Sequence, residues 1–123
     1  MSALAELARQ LREEDTPIAP HVVEVGAADG PSGEYALVME AVREGYLLHY
    51  GESRLIAGHD PDLALLAGDY LYALGLDRLA ALGDTEAVAV LSELISKCAQ
   101  LHAEGRGGEV EPLWVEAGRK IRS

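Results

Sequence analysis

The sequence predicts an all-α protein in which four to five helices form a small bundle. Apolar residues recur at three- and four-residue spacing along most of the chain, as on the buried face of a helix. Residues that favour helix starts, and glycines that favour helix ends, separate these stretches. Hydrophobic residues make up 49% of the 123 residues and charged residues 25%, a globular composition that predicts one helical domain over residues 1–123.

The first predicted helix covers residues 2–14, where leucines and alanines share one face. Pro17 and Pro20 then prevent a helix from continuing, because proline lacks the amide hydrogen and disfavours helical geometry in the residue before it. An irregular segment is therefore predicted over residues 15–33. The sequence is compatible both with an ordered loop and with a linker between the first helix and the bundle.

The second helix is predicted from Glu34 to about Ala57, with Ser32 as its N-terminal cap. Gly45 and Gly51 weaken it, and a kink or break is expected near residue 51, because glycine is a poor helix former.

The third helix has the clearest predicted ends. Asp60 is a good N-cap, Pro61 suits the first helical position, and Gly83 favours the left-handed backbone that ends a helix. Nearly every position between them is apolar or small, which predicts a central helix covered on several sides. Gly68 and Gly75 lie on one face and would allow a neighbouring helix to approach closely.

The fourth helix is predicted to begin at Asp84 or Thr85 and to stop at Gly105. A last amphipathic helix is predicted over residues 113–121, after a flexible glycine turn, and its basic end suits the negative pole of the helix dipole.

The charge balance disfavours several classes of partner. The chain has 21 acidic against 10 basic residues and a formal charge of −11, which argues against nucleic-acid and membrane-surface binding. Its one cysteine, Cys98, indicates a reducing compartment. The N-terminus lacks the pattern of a secretory signal, and the longest apolar stretch is too short to span a bilayer. A cytoplasmic protein is therefore predicted.

Four residues form the candidate ligand or metal site. His49 and Glu52 are three residues apart, His59 follows shortly, and Asp69 could complete a set of imidazole and carboxylate ligands. In the alternative interpretation, the two histidines are ordinary surface or loop residues.

Asp69 is unusual because it interrupts an apolar helix. We expect a buried or interfacial ion pair, with Arg43 or Arg54 of the preceding helix as its partner, because a buried carboxylate needs one. The alternative is that Asp69 marks a solvated edge of the third helix.

The stretch Ala-Leu-Leu-Ala-Gly-Asp-Tyr-Leu-Tyr-Ala at residues 64–73 resembles a central helix of the trans-isoprenyl diphosphate synthases, the polyprenyl synthetase family. The likeness covers about residues 58–105. It implies a truncated isoprenoid-synthase-like arrangement of helices. It also implies a homodimer, because the equivalent helices of the family lie at the subunit interface, and it points to Gly68, Tyr72, Gly75 and Leu79 as interface residues.

The family's chemistry does not carry over to this chain. Its enzymes hold magnesium with two aspartate-rich motifs, but residues 49–52 read His-Tyr-Gly-Glu where the first motif would be, and the second motif does not occur. No catalytic residue is therefore assigned.

Two functions follow from the sequence. The favoured one is a small acidic helical protein without catalysis or a cofactor, which acts by self-association as a homodimer or as an accessory subunit of a protein partner. The alternative is an enzyme or ligand binder of the isoprenoid-synthase class that takes a divalent metal such as Mg²⁺, or a prenyl diphosphate, at His49, Glu52, His59 and Asp69.

Overall fold

A computed structural model of the protein describes residues 2–25, 32–58 and 60–122 and confirms the all-α class. Two single 3₁₀ turns accompany five α-helices, and the described residues form one isolated antiparallel bridge, between Val22 and Ile56, but no strand. The helices are α1 (Ala3–Glu13), α2 (Glu34–Tyr50), α3 (Pro61–Ala81), α4 (Thr85–Ala103) and α5 (Glu111–Arg122).

The chain separates into two compact units, Met1–Gly75 and Leu76–Ser123. The first holds α1, α2 and most of α3, and the second holds α4 and α5. The expectation of one domain over residues 1–123 stays a prediction.

The core of the first unit is built by leucines and alanines that share helix faces. Ser2 caps α1 by accepting a hydrogen bond from the amide of Ala5 at 3.2 Å, and α1 packs against α2. The fully or almost fully buried apolar residues include Leu7, Ala8 and Leu11 of α1, Leu37, Ala41 and Leu48 of α2, and Ala67 and Leu71 of α3.

The second helix differs from its prediction at both ends. Its N-cap is Gly33, with a φ of 101° that suits glycine, and no side chain caps the helix, so the prediction for Ser32 is wrong. The helix ends at Tyr50 rather than near residue 57, whereas the expected break at Gly51 is confirmed. The residues after the break leave the helix because they bond to a buried side chain of α2, described below.

The described part of the irregular segment is an ordered loop. Its 3₁₀ turn, Ala19–His21, is followed by hydrogen bonds from the Val23 amide to the Leu55 carbonyl at 2.7 Å and from the Ala57 amide to the His21 carbonyl at 2.9 Å. Residues 26–31 lie outside the described residues.

Three glycines allow α2 and α3 to pack closely. A Cβ atom at Gly45 would lie 2.9 Å from the Gly68 carbonyl, and one at Gly75 would lie 2.5 Å from a methyl group of Val42. A Cβ at Gly68 would overlap the ring of His49. The predicted close approach of a helix to Gly68 and Gly75 is thus made by α2 of the same chain.

The remaining helix ends confirm the sequence analysis to within a few residues. Asp60 accepts a hydrogen bond from the Leu63 amide at 2.8 Å, and Asp84 accepts one from the Ala87 amide at 3.0 Å. Gly83 has a φ of 76° just after α3, and Gly105 follows α4. In the second unit, α4 buries Leu91, Leu94 and Cys98, while α5 buries Trp114, Ala117 and Ile121.

Candidate functional site

The structure brings together two of the four predicted ligand residues. Nε2 of His49, in the last turn of α2, lies 3.2 Å from a carboxylate oxygen of Asp69 on α3. Glu52 is exposed in the loop that follows α2, and His59 lies outside the described residues. Among the residues that the structure describes, no three His, Cys, Asp or Glu side chains form a group that could hold a metal ion.

His49 is fixed by its neighbours. Its side chain is only 16% exposed, its ring lies against Gly68, and the Tyr72 ring meets it edge-on at a centroid distance of 5.1 Å. Tyr50 makes a second, similar ring contact at 5.9 Å. Asp69 lies within ion-pair distance of Nε2, but Nε2 makes no hydrogen bond with a described residue, so this nitrogen can supply one ligand.

Asp69 is exposed, which corrects the expectation that Arg43 or Arg54 neutralises it at a buried site. Its side chain is 74% exposed, and its ion-pair partner is His49. The physical reason is helix geometry, because Asp69 lies two residues from both Ala67 and Leu71, which face the core, and about 200° around the helix from each of them. Arg54 instead pairs with Glu40 and Glu44.

Glu44 is the charged residue that sequence reasoning missed. It is completely buried on α2, and its carboxylate accepts hydrogen bonds from the Ser53 hydroxyl at 2.7 Å, the Arg54 amide at 2.8 Å and the Leu55 amide at 3.1 Å. Nε of Arg54 donates a fourth bond at 2.7 Å. This carboxylate therefore holds the loop after α2 against the helix.

A sequence signal for Glu44 does exist. It lies three residues after Ala41 and four before Leu48, both buried, so it occupies the apolar face of α2. A lone acid at such a position indicates a buried carboxylate that needs donors from a nearby loop.

Three of the four predicted interface residues are buried within the chain, and the fourth, Tyr72, is half-buried. Gly68 and Gly75 are buried against α2, Tyr72 packs on His49 and against Gly45, and Leu79 is fully buried. Whether they contribute to a homodimer stays a prediction.

A shallow groove of about 120 Å³ runs between α4 and α5. We call it the α4–α5 groove. Each helix contributes an apolar residue, then a glutamate three positions later, a second apolar residue and a lysine, which together form one helical face. The residues are Val90, Glu93, Leu94 and Lys97 on α4, and Leu113, Glu116, Ala117 and Lys120 on α5.

A second surface, which we call the α3 stripe, consists of Asp62, Leu65, Leu66, Asp69 and Ala73. All five are exposed, and their spacing places them on one side of α3. Leu65 is 56% and Leu66 is 53% exposed, although leucines are mostly buried in folded proteins.

The two units differ in charge. Residues 1–75 contain 13 of the 21 acidic residues and 4 of the 10 basic ones, a formal charge of −9, whereas residues 76–123 carry −2. The negative charge of the chain is therefore concentrated in the unit that carries the α3 stripe.

Comparison of the chain with protein-family models, with curated proteins and with solved structures gives no match. Within the described ranges, none of the helices combines the length and the apolar character that crossing a membrane requires.

Proposed function

We propose that the protein acts without catalysis, as a self-associating helical protein whose α4–α5 groove pairs with the same groove of a second copy. The observation that carries this proposal is the repeated pattern of the groove: both walls present the same order of apolar residue, glutamate, apolar residue and lysine. Because each wall carries both a glutamate and a lysine beside its apolar residues, a copy related by a two-fold axis can set each charge against its opposite, as a self-complementary interface requires.

The shape of the groove favours side chains over a small ligand. Its volume of about 120 Å³ is below the roughly 300–1,000 Å³ that is usual for small-molecule pockets. Leu94 and Ala117 are buried in it, while Val90 and Leu113 are half-buried and would lose their remaining exposed area on pairing. Two helical hairpins joined in this way would form a four-helix bundle.

The charges of the groove also suit a second copy. Glu93 and Lys97 form an ion pair of 3.1 Å along α4, and α5 presents Glu116 and Lys120 at the same spacing. The groove is thus neutral, on a unit with a formal charge of only −2, so two copies meet there with little repulsion. Glutamates and lysines that flank an apolar seam set the partner and the orientation of paired helices.

The test is the mass of the protein in solution, measured by sedimentation velocity or light scattering. We expect a species of twice 13.1 kDa in the wild-type chain and a monomer for Lys120→Glu. Arg106→Glu is the matched control: it makes the same charge change in the same unit, at an exposed residue whose ion-pair partners, Glu104 and Glu109, do not line the groove, and it should leave the dimer intact.

A charge-swap pair sharpens this experiment. Glu93→Lys/Glu116→Lys and Lys97→Glu/Lys120→Glu should each be monomeric, because like charges face each other, and a mixture of the two should form a heterodimer. A monomeric wild-type chain at about 100 μM would refute the proposal. Equal effects of Arg106→Glu and Lys120→Glu would refute the assigned surface.

A second candidate function is favoured by the contact between His49 and Asp69, because they are two of the four residues expected to bind a metal or a prenyl diphosphate. It requires that Mg²⁺ with a prenyl diphosphate raise the unfolding temperature, because ligands that bind only the folded state stabilise it. The increase should be absent in His49→Ala and in Asp69→Ala. No increase in the wild-type chain would reject this function.

A further inference from the structure

We propose that the α3 stripe binds a basic amphipathic helical segment of a partner protein. Leu65 and Leu66 form the apolar anchor of this surface, and Asp62 and Asp69 form its charged rim. This surface lies in the first unit and differs from the α4–α5 groove. The inference therefore goes beyond self-association and does not depend on it.

The apolar part of the stripe has the form of a helix-docking face. Leu65 and Leu66 are adjacent, and each is more than half exposed. Ala73 lies on the same side of α3, about two turns after Leu66. A pair of leucines on a regular helix fits the i, i+3, i+4 ridge of an amphipathic partner helix.

The charges of the stripe decide between partners. Asp62 and Asp69 flank the leucines, and the surrounding unit has a formal charge of −9. A second copy would bring the same carboxylates against them, and like charges at an interface oppose association. A helix with lysines or arginines beside its apolar ridge would instead pair with both carboxylates.

The arginines of this unit are engaged within the chain and leave the stripe acidic. Arg9 bonds to Glu6 and Glu13, and Arg12 donates to the Val23 carbonyl at 3.0 Å. The guanidinium of Arg43 lies over the Tyr46 ring at 5.4 Å, and Arg54 pairs with Glu40 and Glu44. Asp69 has the imidazole of His49 beside it at 3.2 Å, and a lysine or arginine of a partner would add a fixed positive charge next to Asp69 and next to Asp62.

The experiment measures binding of a fluorescein-labelled, 18-residue lysine–leucine peptide, with leucines at helical i, i+3, i+4 spacing, to the full chain by anisotropy. Two control peptides share its length: one has the same composition in an order that breaks the leucine ridge, and the other replaces every lysine with glutamate. We expect saturable binding of the first peptide alone, weakened by added salt because the pairs are near the surface.

Variants locate the binding surface. Leu65→Ser/Leu66→Ser and Asp62→Asn/Asp69→Asn should each weaken binding by about tenfold or more, because anchor residues dominate such interfaces. Val115→Ser removes a valine that is 60% exposed elsewhere, and should leave the affinity unchanged. Asp15→Asn/Glu24→Gln removes two other exposed acids of the same unit and should change the affinity by less than about twofold.

Several results would overturn the proposal. One is that the peptide with rearranged leucines, or the glutamate peptide, binds as tightly as the first peptide. Another is that the control variants lose as much affinity as the stripe variants, and a third is that the first peptide does not bind. If Leu65→Ser/Leu66→Ser lowers the mass of the protein and leaves the peptide affinity unchanged, a second copy occupies the stripe instead. Lys120→Glu separates the two proposals, because it should abolish the dimer and keep peptide binding.

Discussion

Replacing Glu44 tests whether a single buried carboxylate holds the loop after α2. Its two oxygens accept four hydrogen bonds, and their donors are Ser53, Arg54 and Leu55. The held loop in turn bonds to residues 21–23 through the carbonyl of Leu55 and the amide of Ala57. Loss of the carboxylate should therefore loosen both segments and not only the loop itself.

The expected magnitude follows from these contacts. Hydrogen bonds to a charged group contribute about 1.5–3 kcal/mol each, and they are not additive within one cluster. Glu44→Gln keeps an oxygen for the amides but sets an NH₂ group against the Arg54 guanidinium, which should cost about 2 kcal/mol of unfolding free energy. Glu44→Ala removes every acceptor from a completely buried site and should cost about 3–5 kcal/mol.

Glu40→Gln is the matched control. Glu40 lies one turn earlier on α2 and pairs with the same arginine at 3.2 Å, but its side chain is 23% exposed and its contact with the loop is this ion pair. A pair with access to water contributes at most about 1 kcal/mol. Glu44→Gln and Glu40→Gln therefore change residues of the same helix that pair with the same arginine. They differ in burial and in whether the carboxylate binds backbone amides of the loop.

The assay combines urea unfolding, followed by circular dichroism, with amide hydrogen exchange measured by NMR. With a typical slope of 1–3 kcal/mol per molar urea, Glu44→Gln should lower the midpoint by about 1 M. The amides of Leu55, Val23 and Ala57 should lose protection together in Glu44→Ala. If Glu44→Gln is no more destabilising than Glu40→Gln, or if those amides keep their protection, the assigned role is refuted.

Three further outcomes are expected. Gly75→Ala should destabilise the protein by about 1–3 kcal/mol in urea unfolding, because a Cβ there would meet a methyl group of α2 at 2.5 Å, whereas Gly108→Ala, with open space around it, should not. Asp84→Ala should cost about 1 kcal/mol in the same assay, because it removes the N-cap of α4. Hydrogen bonds from Arg9 hold the pKa of Glu6 below its ordinary 4.5, so the stability that this pair contributes is present above pH 4.5 and is lost as the pH falls through the lowered pKa. An NMR titration should find that Arg9→Ala moves this pKa back toward 4.5.

The sequence predicted the helix ends best where the signal is local. Asp60 and Asp84 cap α3 and α4 as predicted, and Gly83 ends α3. Such signals are local, because a capping side chain bonds to an amide only three residues further along the chain. The end of α2 is different, since apolar spacing continues beyond Gly51 to Leu55. There the chain leaves the helix to bond with the buried Glu44 carboxylate, and the spacing of apolar residues does not reveal that contact.

Asp69 and Glu44 show why the burial of an acidic side chain is harder to predict than the helix that carries it. Asp69 looks buried because α3 is apolar on most sides, yet it lies opposite the residues that face the core and is exposed. Glu44 looks ordinary, because α2 carries other charges, yet it lies on the same face as Ala41 and Leu48 and is buried. The number of apolar neighbours in the sequence would predict that Asp69 is buried and Glu44 exposed, which is the reverse of what the structure shows. The angular position of each acid relative to the buried face of its helix predicts the burial of both correctly. The same criterion distinguishes the exposed Leu65 and Leu66 from the buried Leu71 of the same helix.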